Sequence, residues 1–327
     1  MITAGIIGGA GYTAGELMRI LLHHPHVKLN YVHSNSHAKK PVWEVHGDLV
    51  GDTDMKFAKK IGEADVVFLC LGHGKSVEFL NENCLPGNPK IIDLSQDFRV
   101  KNFYHSQKGT DFEFVYGLPE YDREKIRNAS HIANPGCFAT ALELALLPLA
   151  ETGLLRYEVH VNGITGSTGA GQALSPTTHF SWRNNNISMY KPFTHQHLLE
   201  VHETLLRATN KTIPQLSFLP VRGDFTRGIF LTAYTETHTY LPKLLNIYRS
   251  YYADAAFTIV CEHEISLKDV VGTNKCLLRV EKYHNKVLIT SVIDNLLKGA
   301  SGQAVQNMNL MFGFDEKAGL ELKANGF

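Results

Sequence analysis

The 327-residue chain has no surplus of either charge. Its 32 basic residues balance 32 acidic ones, which leaves no excess positive field for a nucleic acid or an anionic membrane surface. A small-molecule partner suits this balance better. Cysteine is scarce and odd in number: the five are Cys70, Cys84, Cys137, Cys261 and Cys276, with no paired spacing. That pattern indicates neither a disulfide framework nor a zinc knuckle, and fits one reactive thiol in a cytosolic protein. No uninterrupted apolar run approaches the ~20 residues of a membrane span. The opening 1-MITAGIIGGAG-11 lacks the basic start and cleavage site of a secretory leader. The 17 histidines form no HExxH-like spacing, so no metal is expected.

What the chain does have is organised around 134-NPGCFAT-140. Pro135 fixes its own φ, Gly136 permits conformations closed to other residues, and 138-FATALELALLPLA-150 reads as a helix rich in Ala and Leu. Cys137 is therefore placed at a helix N-terminus. There the unpaired N–H groups and the positive end of the dipole favour thiolate over thiol. A buried cysteine acting as a small hydrophobe would fit the local sequence as well.

Length alone favours two domains. In the first half, the β-branched run 2-ITAGIIG-8 breaks into 8-GGAGYTAGEL-17, helical periodicity follows in 16-ELMRILLHH-24, and a second strand is expected at 27-VKLNYVHS-34. Strand, glycine turn and helix make a phosphate-loop candidate, with Gly8 and Gly11 admitting a pyrophosphate and the N–H groups around Tyr12, Thr13 and Ala14 facing it. A loop selecting NAD usually carries a carboxylate after the second strand. Here 34-SNSHAKK-40 offers Ser34, Ser36, Lys39 and Lys40 instead, which suits the 2′-phosphate of NADP. The continuous apolar runs 65-DVVFLCLGHG-74 and 90-KIIDLSQDF-98 predict strands buried on both faces of a parallel sheet, ending in residues such as Gly72 where ligands gather. The polar, aromatic stretch between Arg99 and Pro119 is expected as a connecting loop.

From Tyr157 the pattern changes to alternating strands, 157-YEVHVNGIT-165, 228-GIFLTAYTET-237 and 276-CLLRVEKYHNKVLITSVID-294, which predicts a mostly antiparallel sheet in an α+β domain. The turn 166-GSTGAGQ-172 is rich in backbone and hydroxyl donors able to hold an anion, and a flexible linker would look the same. Next, 183-RNNNISMYKPFTHQHLLEVHETLL-206 carries Tyr190, then His195 and His197 at the start of a helix that includes Glu200. A histidine near a helix's positive end protonates less readily, which suits an acid/base at neutral pH. Arg222 and Arg227 lie in a loop entering a strand, and arginine forks bind carboxylate and phosphate. The last stretch, 298-KGASGQAVQNMNLMFGF-314, predicts a helix with an apolar face and an amide face of Gln303, Gln306 and Asn307, too apolar to remain a free terminus.

Taken in order, 8-GGAGYTAGEL-17, 91-IIDLSQDFR-99, 134-NPGCFAT-140, 166-GSTGAG-171, 195-HQHLLE-200, 227-RGI-229 and 294-DNLLKGASGQAVQNMNLMFG-313 resemble the N-acetyl-γ-glutamyl-phosphate reductase family over essentially the whole chain. That family is similar in architecture and chemistry to aspartate-semialdehyde and glyceraldehyde-phosphate dehydrogenases. The resemblance implies an α/β Rossmann-type NADP-binding domain of residues 1–136 and 297–327, and an α+β catalytic and dimerisation domain of residues 137–296. It implies NADPH-dependent reduction of an N-acylglutamyl 5-phosphate in arginine biosynthesis, by a homodimer or homotetramer. The family's nucleophile falls on Cys137 and its acid/base on His195 or the neighbouring His197. Cofactor contacts extend to Gly169, Gln303 and Asn307, and the substrate contacts are Asn134, Thr168, Tyr190, Glu200 and Arg227. The chain departs from the family pattern at GSTGAG and at 222-RGDFTRG-228. A related acyl-phosphate reductase, taking an N-succinylglutamyl or an aspartyl phosphate, and a noncatalytic NADP-binding module are the alternatives.

Overall fold

The computed structural model describes residues 1–100, 112–209 and 211–326, so the middle of the expected loop between Arg99 and Pro119 lies outside the described residues. The chain divides into two compact units, Met1–Pro135 with Ala300–Glu321, and Gly136–Gly299 with Leu322–Phe327. The stretch that returns to the first unit is thus shorter at both ends than residues 297–327.

In the first unit β1 (Ile2–Ile7), β2 (Val27–His33), β3 (Val66–Leu69), β4 (Lys90–Asp93), β5 (Val115–Tyr116) and β6 (His131–Ala133) form one sheet in the order β2-β1-β3-β4-β6-β5. Every pairing is parallel. All four residues of β3 are buried, as expected for a strand covered on both faces. The connections carry α1 (Tyr12–Leu21), α2 (Lys75–Glu82) and α3 (Pro119–Arg127). Helix α1 begins at Tyr12, four residues ahead of the periodicity seen from Glu16, because extended Gly11 (φ −82°, ψ 164°) serves as its N-cap.

The second unit contains α4 (Cys137–Glu151), β7 (Val159–Thr165), α5 (Phe180–Arg183), β8 (Ser188–Met189), α6 (His197–Thr209), β9 (Leu216–Arg222) and β10 (Ile229–Glu236). After these come α7 (Leu241–Tyr251), β11 (Thr258–Cys261), β12 (Cys276–Tyr283) and β13 (Lys286–Ile293). The sheet order is β11-β12-β13-β10-β7-β9-β8; β11/β12 and β7/β9 are parallel and the other pairings antiparallel. The run 276–294 is a hairpin rather than one strand, turning at His284, whose φ is 51°. Helix α4 is buried from Phe138 to Ala150 although Pro148 interrupts it. Proline lacks the N–H that would bond the Leu144 carbonyl, and the Tyr252 hydroxyl donates to that carbonyl instead at 2.6 Å.

The last helix, α8 (Gly302–Met311), belongs to the first unit and is buried along its entire length. Its amides face protein partners and not water. Asn307 Nδ2 donates to Gly117 O (2.9 Å) and Asn134 Oδ1 (3.1 Å), Gln306 Nε2 to Glu316 Oε1 (2.7 Å), and Asn309 Nδ2 to Ala318 O (2.9 Å). None of the described helices is long and apolar enough to cross a membrane.

The carboxyl ends of the parallel strands hold a buried polar group. Asp93 ends β4 and accepts hydrogen bonds from Ser76 Oγ (2.6 Å) and Ser95 Oγ (2.7 Å). Burial outweighs both donors and pushes its carboxyl up to about 6. A folded-state value above the unfolded one means the folded chain holds this proton more tightly. The resulting stability is present below the unfolded value near 3.8 and is lost as pH rises through about 6. Wild type is therefore expected to lose about 2.5 kcal/mol relative to Asp93→Asn between pH 4 and pH 7.5 in urea unfolding. A difference that does not change with pH would contradict this.

Candidate active site

In the first unit the glycine turn sits at the carboxyl end of β1. Gly8 has φ +83°, and a Cβ there would lie 2.5 Å from the Cys70 carbonyl oxygen. A side chain is excluded on both grounds. Gly11 faces open space, α1 has no side-chain cap, and its first turn carries no acidic residue. Its initial N–H groups are thus available to an anion. The turn is pinned from below by buried His46, whose Nε2 lies 2.8 Å from Gly9 O and whose Nδ1 would be 2.6 Å from a Cβ on Gly15. Thr13 hydrogen-bonds Cys70, while its carbonyl accepts from Ser301 Oγ at 2.8 Å. Burial, the larger effect, pushes the Cys70 thiol up to about 12. Ala14 is buried behind the turn and Tyr12 is exposed.

The loop after β2 brings together the hydroxyls expected there. Ser34 Oγ and Ser36 Oγ are 3.4 Å apart and Ser36 Oγ is 2.8 Å from His37 Nδ1. Lys39 (φ 73°) and Lys40 are exposed beside them. No carboxylate occupies the loop, so its donors fit a phosphorylated ribose. Gly72 faces open space after β3, and the next turn is held by Asp97, which accepts from Gly74 N (2.6 Å) and Ser76 N (3.0 Å). Gln303 is fully buried on α8, and Asn307 is engaged with Gly117 and Asn134. Asn134 is likewise committed within the first unit, its Nδ2 donating to Ala300 O at 3.0 Å.

In the second unit Cys137 opens α4 and is half-buried. Extended Gly136 is the N-cap; no side chain caps the helix and no acid lies in its first turn. Glu200 on α6 accepts the Gly136 N–H at 2.8 Å. His197 packs so closely that a Cβ on Gly136 would be 2.5 Å from its Nε2, and the same Nε2 lies 3.9 Å from Glu200 Oε1. On the far side, a Cβ on Gly299 would come within 2.7 Å of Cys137 Cβ.

His195 is buried among Phe138, Phe218, Tyr190 and His197, with ring centroids at 5.6, 5.5, 5.6 and 4.6 Å. Its Nδ1 accepts the His197 backbone N–H at 3.2 Å, which leaves the neutral ring's proton on Nε2. Its pKa falls to about 3, chiefly through burial and then through the charges of His197 and Lys191. Tyr190's phenol is pushed up by burial and by the Cys137 charge, against the pull of Arg222, whose guanidinium lies 4.6 Å over the Tyr190 ring. Sequence reasoning did not pair these two. They lie 32 positions apart and meet through the short β8/β9 pairing, which sequence shows poorly.

The 166–171 turn does not offer the free donors anticipated. Gly166, Ser167 and Thr168 give their N–H groups to Gly228 O, Phe225 O and Thr226 O, and Gly169 and Gly171 bond within the turn. Thr168 Oγ1 also donates to Thr226 O at 2.6 Å and accepts from Asn295 Nδ2 at 3.0 Å. Arg227 pairs with fully buried Asp294, Nε at 3.1 Å and Nη2 at 3.0 Å. Among the described residues no group of His, Cys, Asp and Glu is placed to hold a metal.

Two family models match the chain: one described as the NAD-binding domain of semialdehyde dehydrogenase over residues 3–129, the other as its dimerisation domain over residues 137–295. Curated proteins named N-acetyl-gamma-glutamyl-phosphate reductase from Christiangramia forsetii and Flavobacterium johnsoniae are 58% and 55% identical, each over all of both chains. Among solved structures, aspartate semialdehyde dehydrogenase II from Vibrio cholerae, complexed with ASA, superposes with TM-score 0.72 at 16% identity, covering 96% of this chain and 98% of the other. At that identity the likeness is one of fold.

The His195 geometry has a direct spectroscopic consequence. Its imidazole is expected to stay neutral, protonated at Nε2, from pH 8 to below pH 5 in ¹⁵N NMR of the free enzyme. A titration midpoint near the ordinary histidine value, or the Nδ1–H tautomer, would contradict it.

Proposed function

The chain belongs to the N-acetyl-gamma-glutamyl-phosphate reductase family of semialdehyde dehydrogenases, and from that premise we propose that it reduces N-acetyl-L-glutamyl 5-phosphate to the 5-semialdehyde with release of phosphate, as a step of arginine biosynthesis. The observation that carries the reading is Cys137 at the uncapped start of α4, with its preceding residue clamped between Glu200 and His197. Gly8, Gly11, Tyr12, Thr13 and Ala14 would hold the pyrophosphate of NADPH, and Ser34, Ser36, Lys39 and Lys40 its 2′-phosphate. The cofactor, when bound, supplies the hydride.

The Cys137 thiolate attacks the acyl carbon, an S–C bond forms, the C–O bond to phosphate breaks and inorganic phosphate leaves. The first-turn N–H groups of α4, which have no partner within the helix, stabilise the oxyanion of each tetrahedral species. The resulting thioester is reduced to a thiohemiacetal. His195 Nε2–H donates to the developing oxyanion, whose negative charge raises the imidazole's proton affinity. The same N–H stays hydrogen-bonded to the thiohemiacetal oxyanion while that oxyanion collapses and the C–S bond breaks, which frees the aldehyde and restores the thiolate with the imidazole neutral throughout. His195 is favoured over His197 because its one exchangeable nitrogen is left for the reacting group, whereas His197 Nε2 faces Gly136 and Glu200. Arg227, which is paired with Asp294, would take an anionic group of the substrate through its remaining donors. The second unit mediates assembly as a homodimer or homotetramer.

Cys137→Ser is expected to abolish phosphate-dependent oxidation of the semialdehyde while leaving NADPH affinity within a few-fold. His195→Asn should lower kcat by roughly 10² to 10⁴, and His197→Asn should act mainly through geometry at Gly136. Residual turnover in the Cys137 variant would remove the thioester route, and a larger kcat loss at His197 would reverse the histidine roles. From the loop chemistry after β2, NADPH should exceed NADH in kcat/KM by more than ~10-fold. Equal use of the two cofactors would sink that assignment.

A further inference from the structure

Arg222 stands in the histidine cluster without an anionic partner. It ends β9, where its neighbour across the pairing is Ser188 of β8, and its guanidinium lies 4.6 Å over the Tyr190 ring. Tyr190 in turn packs edge-on against His195 at 5.6 Å. Arg222 makes no ion pair among the described residues, and its buried Nε has no hydrogen-bond partner. Its carbonyl accepts from Arg183 Nη1 at 3.2 Å, so the segment carrying it is held by a second arginine. Lys191, whose Nζ donates to Gln196 Oε1 at 2.9 Å, adds a further positive charge nearby. Two carboxylates stand near these cations: Glu200 is tied to the Gly136 N–H at 2.8 Å, and Asp224, which acts on Arg183, accepts the Asn185 N–H at 2.8 Å.

A buried donor on an arginine is costly to leave unmade, and a planar guanidinium fixed by stacking is already oriented for a planar oxyanion. Cysteine chemistry does not need this residue. We propose that Arg222 is a specificity residue that recognises a carboxylate of the N-acylglutamyl substrate, with the Tyr190 ring holding its guanidinium in the plane of that carboxylate. The proposal rests on the reaction assigned above. Two substrate carboxylates share this chemistry: the α-carboxylate of the glutamyl moiety, and a terminal carboxylate on the acyl group where the acyl group is a dicarboxylic one.

The test is steady-state oxidation by wild type, Arg222→Gln and Arg222→Lys of three aldehydes: N-acetylglutamate 5-semialdehyde, its α-carboxamide, and N-succinylglutamate 5-semialdehyde. If Arg222 reads the α-carboxylate, Arg222→Gln raises KM for the N-acetyl aldehyde by about 10- to 100-fold and leaves the carboxamide unaffected. If it reads the acyl carboxylate, wild type prefers the N-succinyl aldehyde by a similar factor and Arg222→Gln removes that preference. In both cases Arg222→Lys restores part of the loss, kcat falls much less than KM rises, and the KM for NADP⁺ is unchanged. An equal penalty on all three aldehydes, or no penalty on any, overturns the proposal. A wild type that oxidises these aldehydes with variants indifferent to the carboxylate keeps the reaction and loses this residue's role. A wild type that oxidises none of them loses the reaction, and the role with it.

Discussion

The second unit depends on the absence of a side chain at Gly136. Its N–H is accepted by the buried Glu200 carboxylate at 2.8 Å, and His197 occupies the volume where a Cβ would be. This clamp joins the first turn of α4 to the first turn of α6 and sets where Cys137 begins. The side of Cys137 is bounded in the same manner by Gly299, whose missing side chain leaves room for Cys137 Cβ. Two backbone positions without side chains thus shape the space around a cysteine at an uncapped helix start. Burying Glu200 is tolerable because its charge is spent on a backbone donor and lies beside an imidazole.

The same economy operates in the first unit, where the glycine turn is rigid because of what surrounds it. Gly8 is fitted against the Cys70 carbonyl, Gly9 against Val32, and Gly15 against His46. His46 adds a hydrogen bond to the Gly9 carbonyl, so the turn is held by an imidazole contributed from a segment that has no regular secondary structure at that residue. Anion binding at a helix start needs N–H groups already aimed, and rigidity of this kind removes the ordering cost on binding.

The parts of the structure legible in the sequence were those whose cause is local. A glycine turn between an apolar strand and a periodic helix, two largely apolar runs of strand length, and a cysteine after Pro-Gly each carry their signal within about a dozen positions. What was not legible depends on partners far along the chain. Asn307 of α8 was expected to face the cofactor, yet it bonds Gly117 O and Asn134 Oδ1, groups that only the folded first unit brings to the helix. The donors of the 166–171 turn looked free until the 225–228 segment was laid against them. The burial of His195 was not legible either, since its aromatic cage comes from α4, β9 and the Tyr190 loop.

The central claim is that Cys137 carries the acyl group between phosphate release and reduction. Mixing the enzyme with N-acetylglutamyl 5-phosphate in the absence of NADPH and mapping the digested protein by mass spectrometry tests it most directly. The account predicts one N-acetylglutamyl adduct per chain on the peptide containing Cys137, formed together with a stoichiometric release of phosphate and discharged by hydroxylamine or by added NADPH. Phosphate release with Cys137 unmodified, or an adduct on another residue that NADPH discharges at the catalytic rate, would contradict it.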